Sequence, residues 1–255
     1  SGQAERRKKE QKMRQKKKRA WLSDLCLLMA VIFLVLAARE YYPYMKNDIE
    51  LRKLREKVPE NTEEEEDGEA IDWDRLKKIN PDIIAWIRVP GTKIDYPVLQ
   101  CSEWNEYLHK NYKGEESYPG SIFIQPGCPA DFSGSHSILY GHNMRNQSMF
   151  GSLHRFEKEA FYRKHKKVYL YQPDQTIIGT VYSTYDCRDT GRTYETAFDS
   201  GEEWEDWLLM SRENSYYDTE KVPEKEDRVV TLSTCSNGRS RDSRYVVHCI
   251  AVKEG

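Results

Sequence analysis

Three short segments of the sequence carry residues that could do chemistry at the ends of apolar runs. VVTLSTC ends on Cys235, SILYGHNM brings His142 just past a predicted strand, and RDSRYVVH carries Arg244 at the opening of another strand. A nucleophilic cysteine needs a partner that exchanges its proton, a donor for the oxyanion and an exposed position. An imidazole, a guanidinium and a strand end meet these needs, so the combination predicts a nucleophilic cysteine.

Taken singly, each of these residues also fits an ordinary structural role. A free cysteine is usually a buried small hydrophobe, and a histidine or an arginine at a strand end is usually a surface residue. The spacing favours chemistry, because Arg244 follows Cys235 by nine residues and a tight hairpin would bring the two side by side. Arg239 and Arg241 lie in the same loop, and spacing alone leaves them as alternatives to Arg244.

The elements that position these residues follow from the spacing of apolar side chains. Short β-rich runs with turn residues between them recur from residue 85 to residue 252 and predict about eight strands with few helices. Strands of this number, spaced about ten residues apart, are typical of a closed β-barrel or a sandwich. The sequence therefore predicts a mainly β domain.

Two longer polar intervals between the predicted strands favour helices. Residues 149–165 space their apolar side chains at helical intervals, which predicts a surface helix. Residues 200–214 begin with the Ser and Glu of a capping box and carry acidic residues in the first turn. In this second helix Trp204, Trp207 and Leu208 share one stripe, which predicts core packing rather than a ligand cage.

Charge is segregated at the start of the chain, although the formal net charge is only -2. Residues 1–20 carry ten Lys or Arg against two Glu, and residues 21–38 are apolar almost throughout. A span needs roughly 17 to 25 mostly apolar residues. The pattern predicts a basic cytoplasmic arm followed by an uncleaved transmembrane signal anchor, with the chain beyond residue 40 outside the cell.

A cleaved signal peptide or a nucleic-acid-binding arm fits this N-terminal pattern less well than an anchor does. A cleaved signal peptide has a shorter apolar region, about 7 to 15 residues, and should end in an A-x-A motif, which Leu36, Ala37 and Ala38 match poorly. A nucleic-acid-binding arm would account for the basic block but not for the adjacent apolar span, so no nucleic-acid partner is expected. The sequence predicts a single-pass protein of the cell membrane.

The chain beyond the predicted span divides by composition. Residues 39–69 read as a stalk helix followed by an acidic, solvated linker. Residues 70–255 form the predicted folded domain, which opens with a short amphipathic helix that Asp72 or Asp74 begins. The predicted extracellular part is therefore one domain on a tether.

The six cysteines show no C-x-x-C motif and no zinc spacing with histidine. No metal and no other cofactor is expected. Cys26 falls in the predicted span, which leaves an odd number outside it, so at least one of those thiols stays free unless it bridges to another chain.

Taken together, TLSTC at 231–235, LYGHNM at 139–144 and an arginine before a final hydrophobic strand resemble the sortases, and class B fits best. The resemblance covers nearly all of residues 70–253, including INPDIIAWIRVPGTKIDYPVLQ, NMRNQSMFGSL and the helix at 200–214. Sortases are membrane-anchored cysteine transpeptidases of Gram-positive bacteria. The resemblance implies an eight-stranded sortase-like β-barrel with N-terminal helices and a helix inserted before the catalytic strand.

The resemblance also implies roles for individual residues. Cys235 would be the nucleophile, His142 its acid/base partner and Arg244 the clamp for oxyanion and substrate. The enzyme would cleave a C-terminal sorting signal of secreted proteins through a thioester and pass the acyl group to an amine of the cell wall or to a pilin lysine. Its partners would be those secreted proteins, a peptidoglycan precursor or other amine acceptor, and the membrane. The residues expected to contact the substrate are Ser233, Thr234 and Asn143.

Two other functions compete with transpeptidation. A papain-like cysteine protease lacks support, because the C-G-[SA]-C-[WY] signature is absent and Cys235 follows His142 at a strand end instead of opening a helix. A membrane-tethered β-domain that binds surface ligands would carry an unreactive, buried cysteine. The alkylation rate of Cys235, compared with those of the other cysteines, separates this last alternative from the enzymes.

Overall fold

The computed structural model describes residues 2–55, 71–237 and 240–254. It divides into two compact units, Ser1–Ile49 and Glu50–Gly255. The acidic part of the predicted linker and Arg239 lie outside the described residues.

Helix α1, Gly2–Arg55, covers the predicted basic arm, the predicted span and most of the predicted stalk. Among the described residues one stretch of it, Lys16–Arg39, is long and apolar enough to cross a membrane, with 24 residues and a mean hydropathy of 2.4. A helix of this kind near the N-terminus can also belong to a signal sequence. The helix is thus compatible with the predicted anchor.

The second unit is a closed β-barrel of eight strands in the order β1-β2-β3-β4-β7-β8-β6-β5, which β5 closes by pairing with β1. Closure pairs every strand on both sides, so the barrel has no open edge. The predicted eight-stranded, mainly β fold is confirmed. The strands are β1 Ile83–Arg88, β2 Asp95–Gln100, β3 Ile122–Ile124, β4 His136–Tyr140, β5 Lys167–Tyr171, β6 Thr176–Arg188, β7 Arg228–Cys235 and β8 Ser243–Glu254.

The last turn of α1 belongs to the compact unit that contains the barrel. Leu51 and Leu54 are buried in its hydrophobic core, and Glu50 forms an ion pair with Lys113. Burial of a leucine side chain contributes roughly 1.5 to 3 kcal/mol. This unit therefore begins before residue 70, within the segment predicted to be a stalk.

Helix α2, Trp73–Ile79, starts where its capping residue predicts. The Asp72 carboxylate accepts a hydrogen bond from the Arg75 amide at 2.9 Å, so Asp72 and not Asp74 is the N-cap. Asn80, the C-cap, donates from its side chain to the buried Tyr107 hydroxyl at 3.0 Å. The helix is thus tied to the loop that follows β2.

The prediction of one surface helix over residues 149–165 is wrong, because the backbone there does not form a continuous helix. The segment forms a 3-10 helix, Gly151–Glu157, and then a single turn of α-helix, α3, Glu159–Tyr162. Lys158 between them has an extended backbone, with φ -99° and ψ 114°, which interrupts any continuous helix. Leu153 and Phe156 are fully buried, so tertiary packing overrides the helical periodicity.

Helix α4, Gly201–Glu213, lies between β6 and β7, as predicted from its cap. The Ser200 hydroxyl accepts from the Glu203 amide at 3.2 Å, while the Glu203 carboxylate accepts from the Asp199 amide at 2.8 Å. Trp204 and Trp207 are buried and stack with ring centroids 5.2 Å apart, which confirms their core role.

A chain of buried polar side chains crosses three adjacent strands of the barrel. His136 lies on β4, Thr231 on β7 and His248 on β8, and all three are at most 1 % exposed. The Glu195 carbonyl can only accept, so His136 donates to it from Nδ1 at 2.6 Å and accepts from Thr231 at Nε2, also at 2.6 Å. Thr231 in turn accepts from His248 Nδ1 at 2.7 Å. Because burial lowers the pKa of both rings, this sequence of donors is the one that two neutral imidazoles would form.

Acid should therefore destabilise this unit. Burial lowers the pKa of His136 from 6.5 to about 4 and lowers the pKa of His248 well below its usual value. Below pH 6.5 these two histidines bind protons in the unfolded chain but stay neutral in the folded chain. The free energy of unfolding therefore decreases as the pH falls toward 4. His136 alone should remove about 3 kcal/mol of unfolding free energy over this range, at 1.36 kcal/mol per pH unit.

Urea unfolding of the full chain at about pH 7 and about pH 4.5 checks this loss. The matched variant His136→Gln cannot take up the proton, so its stability should fall less between the two conditions. An equal fall in both proteins would contradict the assignment of the acid effect to His136.

Candidate active site

Strand pairing brings the three predicted catalytic residues to one end of the barrel. Strands β4 and β7 are parallel, with Tyr140 opposite Ser233, so His142 and Cys235 each follow that pair by two residues. Strands β7 and β8 are antiparallel, and Arg244 lies directly opposite Cys235. Cys235 and Arg244 thus lie side by side across a hairpin, as predicted.

A cavity of about 410 Å³ opens at this end of the barrel and is bordered by all three residues. Its wall mixes aromatic rings with a few polar groups, as ligand sites commonly do. The lining residues are Trp104, Asn105, Leu108, Phe123, Gln125, Tyr140, Gly141, His142, Asp189, Tyr194, Ser233, Thr234, Cys235 and Arg244.

Cys235 is the exposed cysteine of the unit that contains the barrel, and all six cysteines of the chain are free thiols. Cys101, Cys128 and Cys249 are buried, and Cys187 is half-buried. Burial raises the pKa of Cys101 and that of Cys187 to about 11, which keeps both protonated at neutral pH. Accessibility therefore separates Cys235 from the other four cysteines of this unit.

His142 is a half-buried, neutral imidazole. Its Nε2 donates to the Leu108 carbonyl at 2.9 Å, which leaves the lone pair on Nδ1. Burial lowers its pKa, the carbonyl bond opposes this shift, and the neighbouring His109 adds to the lowering. The ring stacks on Tyr118 at 6.0 Å. Among the described residues its hydrogen bond goes to Leu108 and none reaches the Cys235 thiol, so proton transfer needs a closer approach.

Arg244 is held at the cavity by one carboxylate and two carbonyl oxygens. Nη2 donates to Asp189 Oδ2 at 3.1 Å, and Nη1 donates to the carbonyls of Arg241 at 2.9 Å and Ser243 at 3.1 Å. Its side chain is 24 % exposed and remains within reach of a ligand in the cavity. Arg241, the described alternative, supplies a main-chain oxygen and has an exposed side chain.

Ser233 and Thr234, two of the residues expected to contact substrate, both line the cavity. The Ser233 hydroxyl is 2.9 Å from the Tyr194 hydroxyl, and the Thr234 hydroxyl donates to the Gly141 carbonyl at 2.7 Å. The second bond ties the strand end before the cysteine to the turn before the histidine. A substrate role for both residues stays a prediction.

Asn143, the third expected substrate contact, lies outside the cavity lining among the residues that the structure describes. Its amide nitrogen donates to the Cys235 carbonyl at 2.8 Å and to Asn237 Oδ1 at 2.9 Å. These bonds fasten the turn after His142 to the chain that carries Cys235. A contact between Asn143 and substrate stays a prediction, whereas its link to the nucleophile's main chain is observed.

Sequence reasoning missed much of the cavity wall. The Tyr140 hydroxyl donates to Gln125 at 2.7 Å, and its ring is parallel to that of Tyr194 at 6.2 Å and meets the edge of Trp104 at 6.0 Å. Asp189 holds Arg244 from the end of β6. These residues come from separate segments with no shared motif, so no local signal in the sequence could have grouped them.

The family model for the sortase domain matches residues 87–252 of the chain. Over 173 residues the chain is 32% identical to Sortase B of Listeria monocytogenes serovar 1/2a, an alignment that covers 68% of this chain and 70% of that protein. The chain belongs to the sortase family. The resemblance drawn from the three motifs is confirmed, and class B is the class of these relatives.

Solved class B structures share the fold of this sortase. Sortase B from Bacillus anthracis in complex with AAEK1 superposes with a TM-score of 0.72 at 33% identity, covering 85% of this chain and 99% of that one. A Staphylococcus aureus sortase B–substrate complex gives a TM-score of 0.68 at 28% identity, covering 83% and 93%. A sortase B complexed with triglycine gives 0.67 at 30% identity, covering 72% and 86%. The chain is a cysteine transpeptidase.

Proposed function

We propose that this sortase cleaves a C-terminal sorting signal of secreted proteins through a thioester at Cys235 and transfers the acyl group to an amine of the cell wall or to a pilin lysine. The observation that carries the proposal is the meeting of a thiol, a neutral imidazole and a guanidinium at three neighbouring strand ends around one cavity. A relative bound to its substrate and another bound to triglycine support a peptide donor and an amine acceptor.

In the first half-reaction Cys235 Sγ attacks the scissile carbonyl carbon while its proton passes to Nδ1 of His142. The lowered pKa of His142 supports this step, because the imidazole is neutral and able to accept at neutral pH. The C–N bond of the tetrahedral intermediate then breaks, and the leaving amine takes the proton from His142. A thioester on Cys235 and a free amine are the products.

In the second half-reaction an acceptor amine attacks the thioester carbon and gives its proton to His142. The C–S bond breaks, the sulfur recovers that proton, and the new amide leaves with the cysteine restored. Arg244 donates hydrogen bonds to the carbonyl oxygen in both tetrahedral intermediates, where negative charge develops. Asp189 supports this role because its carboxylate accepts from Nη2 and holds the guanidinium at the cavity.

Transfer to an amine in preference to water should distinguish this enzyme from a protease. Closing a substrate into the cavity excludes water from the thioester, while a bound amine gains by proximity, and each effect can supply several kcal/mol. We therefore expect the acyl-enzyme to accumulate without amine and to resolve at least about tenfold faster when amine is added.

The test uses the full chain in detergent with a library of sorting peptides, followed by mass spectrometry. Parallel reactions contain triglycine, a diaminopimelate peptide, a lysine peptide of pilin type, or no amine. If triglycine or the diaminopimelate peptide resolves the acyl-enzyme faster, wall anchoring is favoured. If the lysine peptide resolves it faster, pilus assembly is favoured. Rapid hydrolysis that no amine changes would indicate a cysteine protease, and no adduct with any peptide would indicate a binding domain.

We infer a membrane topology from the charge pattern and the apolar helix. Residues 1–20 form the cytoplasmic arm, 21–38 the signal anchor, 39–69 the stalk and linker, and 70–255 the extracellular catalytic domain, to whose core Leu51 and Leu54 of the stalk also belong. The stretch Lys16–Arg39 supports the anchor, and the basic residues before it support this orientation.

A reporter fused after residue 255 should be exposed on intact cells, whereas the arm at residues 1–20 should resist external protease. Replacing the basic residues of the arm by Gln is the matched control, because it should weaken the orientation preference without shortening the span. Digestion of the arm in intact cells carrying the unchanged chain would refute the topology.

A further inference from the structure

A second histidine, outside the proposed catalytic pair, contacts the main chain of the nucleophile. We propose that His154, held by Glu157, is a positioning residue that fixes the peptide group of Cys235. The proposal rests on the proposed function, since it assumes that Cys235 is the nucleophile. It gives His154 no contact with the reacting atoms.

The contacts of His154 run in two directions from one ring. The residue lies in the 3-10 helix Gly151–Glu157, and its side chain is 8% exposed. Nδ1 is 2.6 Å from Glu157 Oε1, and Nε2 is 3.0 Å from the Cys235 carbonyl oxygen. Tyr245 of β8 stacks on the ring with centroids 4.7 Å apart. The imidazole is thus oriented by a carboxylate and an aromatic face and aimed at the nucleophile's own carbonyl.

Counting hydrogens shows which atom donates to that carbonyl. The Asn143 amide has two N–H groups, and they go to the Cys235 carbonyl and to Asn237 Oδ1. None remains for His154 Nε2, which is 3.1 Å from the same amide nitrogen. Because a carbonyl oxygen only accepts, the 3.0 Å contact between Nε2 and the Cys235 carbonyl is one in which Nε2 donates. The Glu157 carboxylate, 2.6 Å from Nδ1, holds the ring in this orientation.

Two donors on one carbonyl fix the peptide group that follows the nucleophile. The next residue is held as well: the Ser236 amide donates to the Ser243 carbonyl at 3.1 Å, and its hydroxyl bonds to Asp186. The direction of the Cys235 side chain follows from this peptide geometry, and a misplacement of about 1 Å can cost roughly 100-fold in rate.

His154 lies outside the cavity lining within the part of the chain that the structure describes, which makes it a support for the site and not a catalytic group. Its ring differs in this from His142, which borders the cavity. Removing the support should lower kcat, because the thiol is less often aligned, and should leave KM nearly unchanged, because no contact with the peptide is lost.

Four variants of the full chain test the proposal. His154→Ala removes both contacts, and we expect kcat to fall about 10- to 100-fold with KM changed less than about twofold. His154→Gln places an amide N–H near the position of Nε2 and should recover most of kcat. The kcat of Glu157→Gln should lie between those of His154→Ala and His154→Gln, because the ring loses the carboxylate that orients it. Glu159→Gln is the control, because Glu159 lies two residues further along and pairs with the exposed Arg163.

Two further measurements separate the possible outcomes. Melting temperatures show whether each variant folds. If His154→Ala does not fold, the kcat values of His154→Gln and Glu157→Gln test the proposal instead. Alkylation of Cys235 by iodoacetamide needs no substrate and should slow in the same order as kcat.

Wild-type kcat in a folded His154→Ala, or equal losses in the Ala and Gln variants, would overturn the positioning role. A wild-type chain that forms no thioester with any peptide would instead refute the proposed function, while the alkylation rates would still report on His154.

Discussion

Cys235→Ala is expected to abolish turnover, by at least about 1,000-fold, while the barrel stays folded. The loss follows because no other group can form the thioester. The fold should survive because Cys235 is exposed at the last residue of β7, so its truncation opens no cavity in the core. Product formation with a sorting peptide measures the first effect, and the melting temperature measures the second.

Cys26→Ala is the matched control for this experiment. Cys26 is the other exposed thiol, and it lies in α1, outside the unit that contains the barrel. The control should keep wild-type turnover and should still be alkylated at Cys235. Residual turnover above a few per cent in Cys235→Ala, with the protein folded, would sink the assignment of the nucleophile.

Arg244→Lys should lower the acylation rate constant at saturating peptide by about 100-fold although the positive charge is kept. The guanidinium bonds to Asp189 and to two carbonyl oxygens at the same time as it borders the cavity. An ammonium is a point charge without the planar fork, so it cannot keep these bonds and also present a donor to the oxyanion. Single-turnover acylation at saturating peptide measures the loss on the chemical step.

Arg241→Ala is the control for Arg244→Lys, because its main-chain carbonyl, which accepts from Arg244, is retained in the variant. Removing the exposed side chain of Arg241 should lower the acylation rate by no more than about threefold. Arg239→Ala should be mild as well. If either alanine variant is more damaging than Arg244→Lys, the oxyanion role belongs to that arginine.

The sequence alone predicted the strands and the residue types of the site. A strand pattern has a period of two and is a local property, so eight strands could be read from eight separate runs. The meeting of Cys235 with Arg244 followed from a short hairpin, which is also local. The meeting with His142 depends on the parallel pairing of β4 with β7, and only the motif resemblance suggested it before the structure.

Local periodicity misled the prediction where the surroundings decide the backbone. Residues 149–165 have helical spacing, yet the extended Lys158 splits the segment, and Leu153 and Phe156 are buried in the core of the second unit. A helical pattern reports which side chains are apolar but not which surfaces they meet. The same segment carries His154 toward the nucleophile.

What only the tertiary structure decided are the polar contacts between distant parts of the chain. Arg244 bonds to Asp189 across 55 residues, and His154 bonds to the Cys235 carbonyl across 81. A carboxylate or an imidazole in a loop carries no periodic signal, because its partner is chosen by how strands close into a barrel and not by its neighbours in sequence. The sequence thus determined which groups can react, and barrel closure determined which groups hold them.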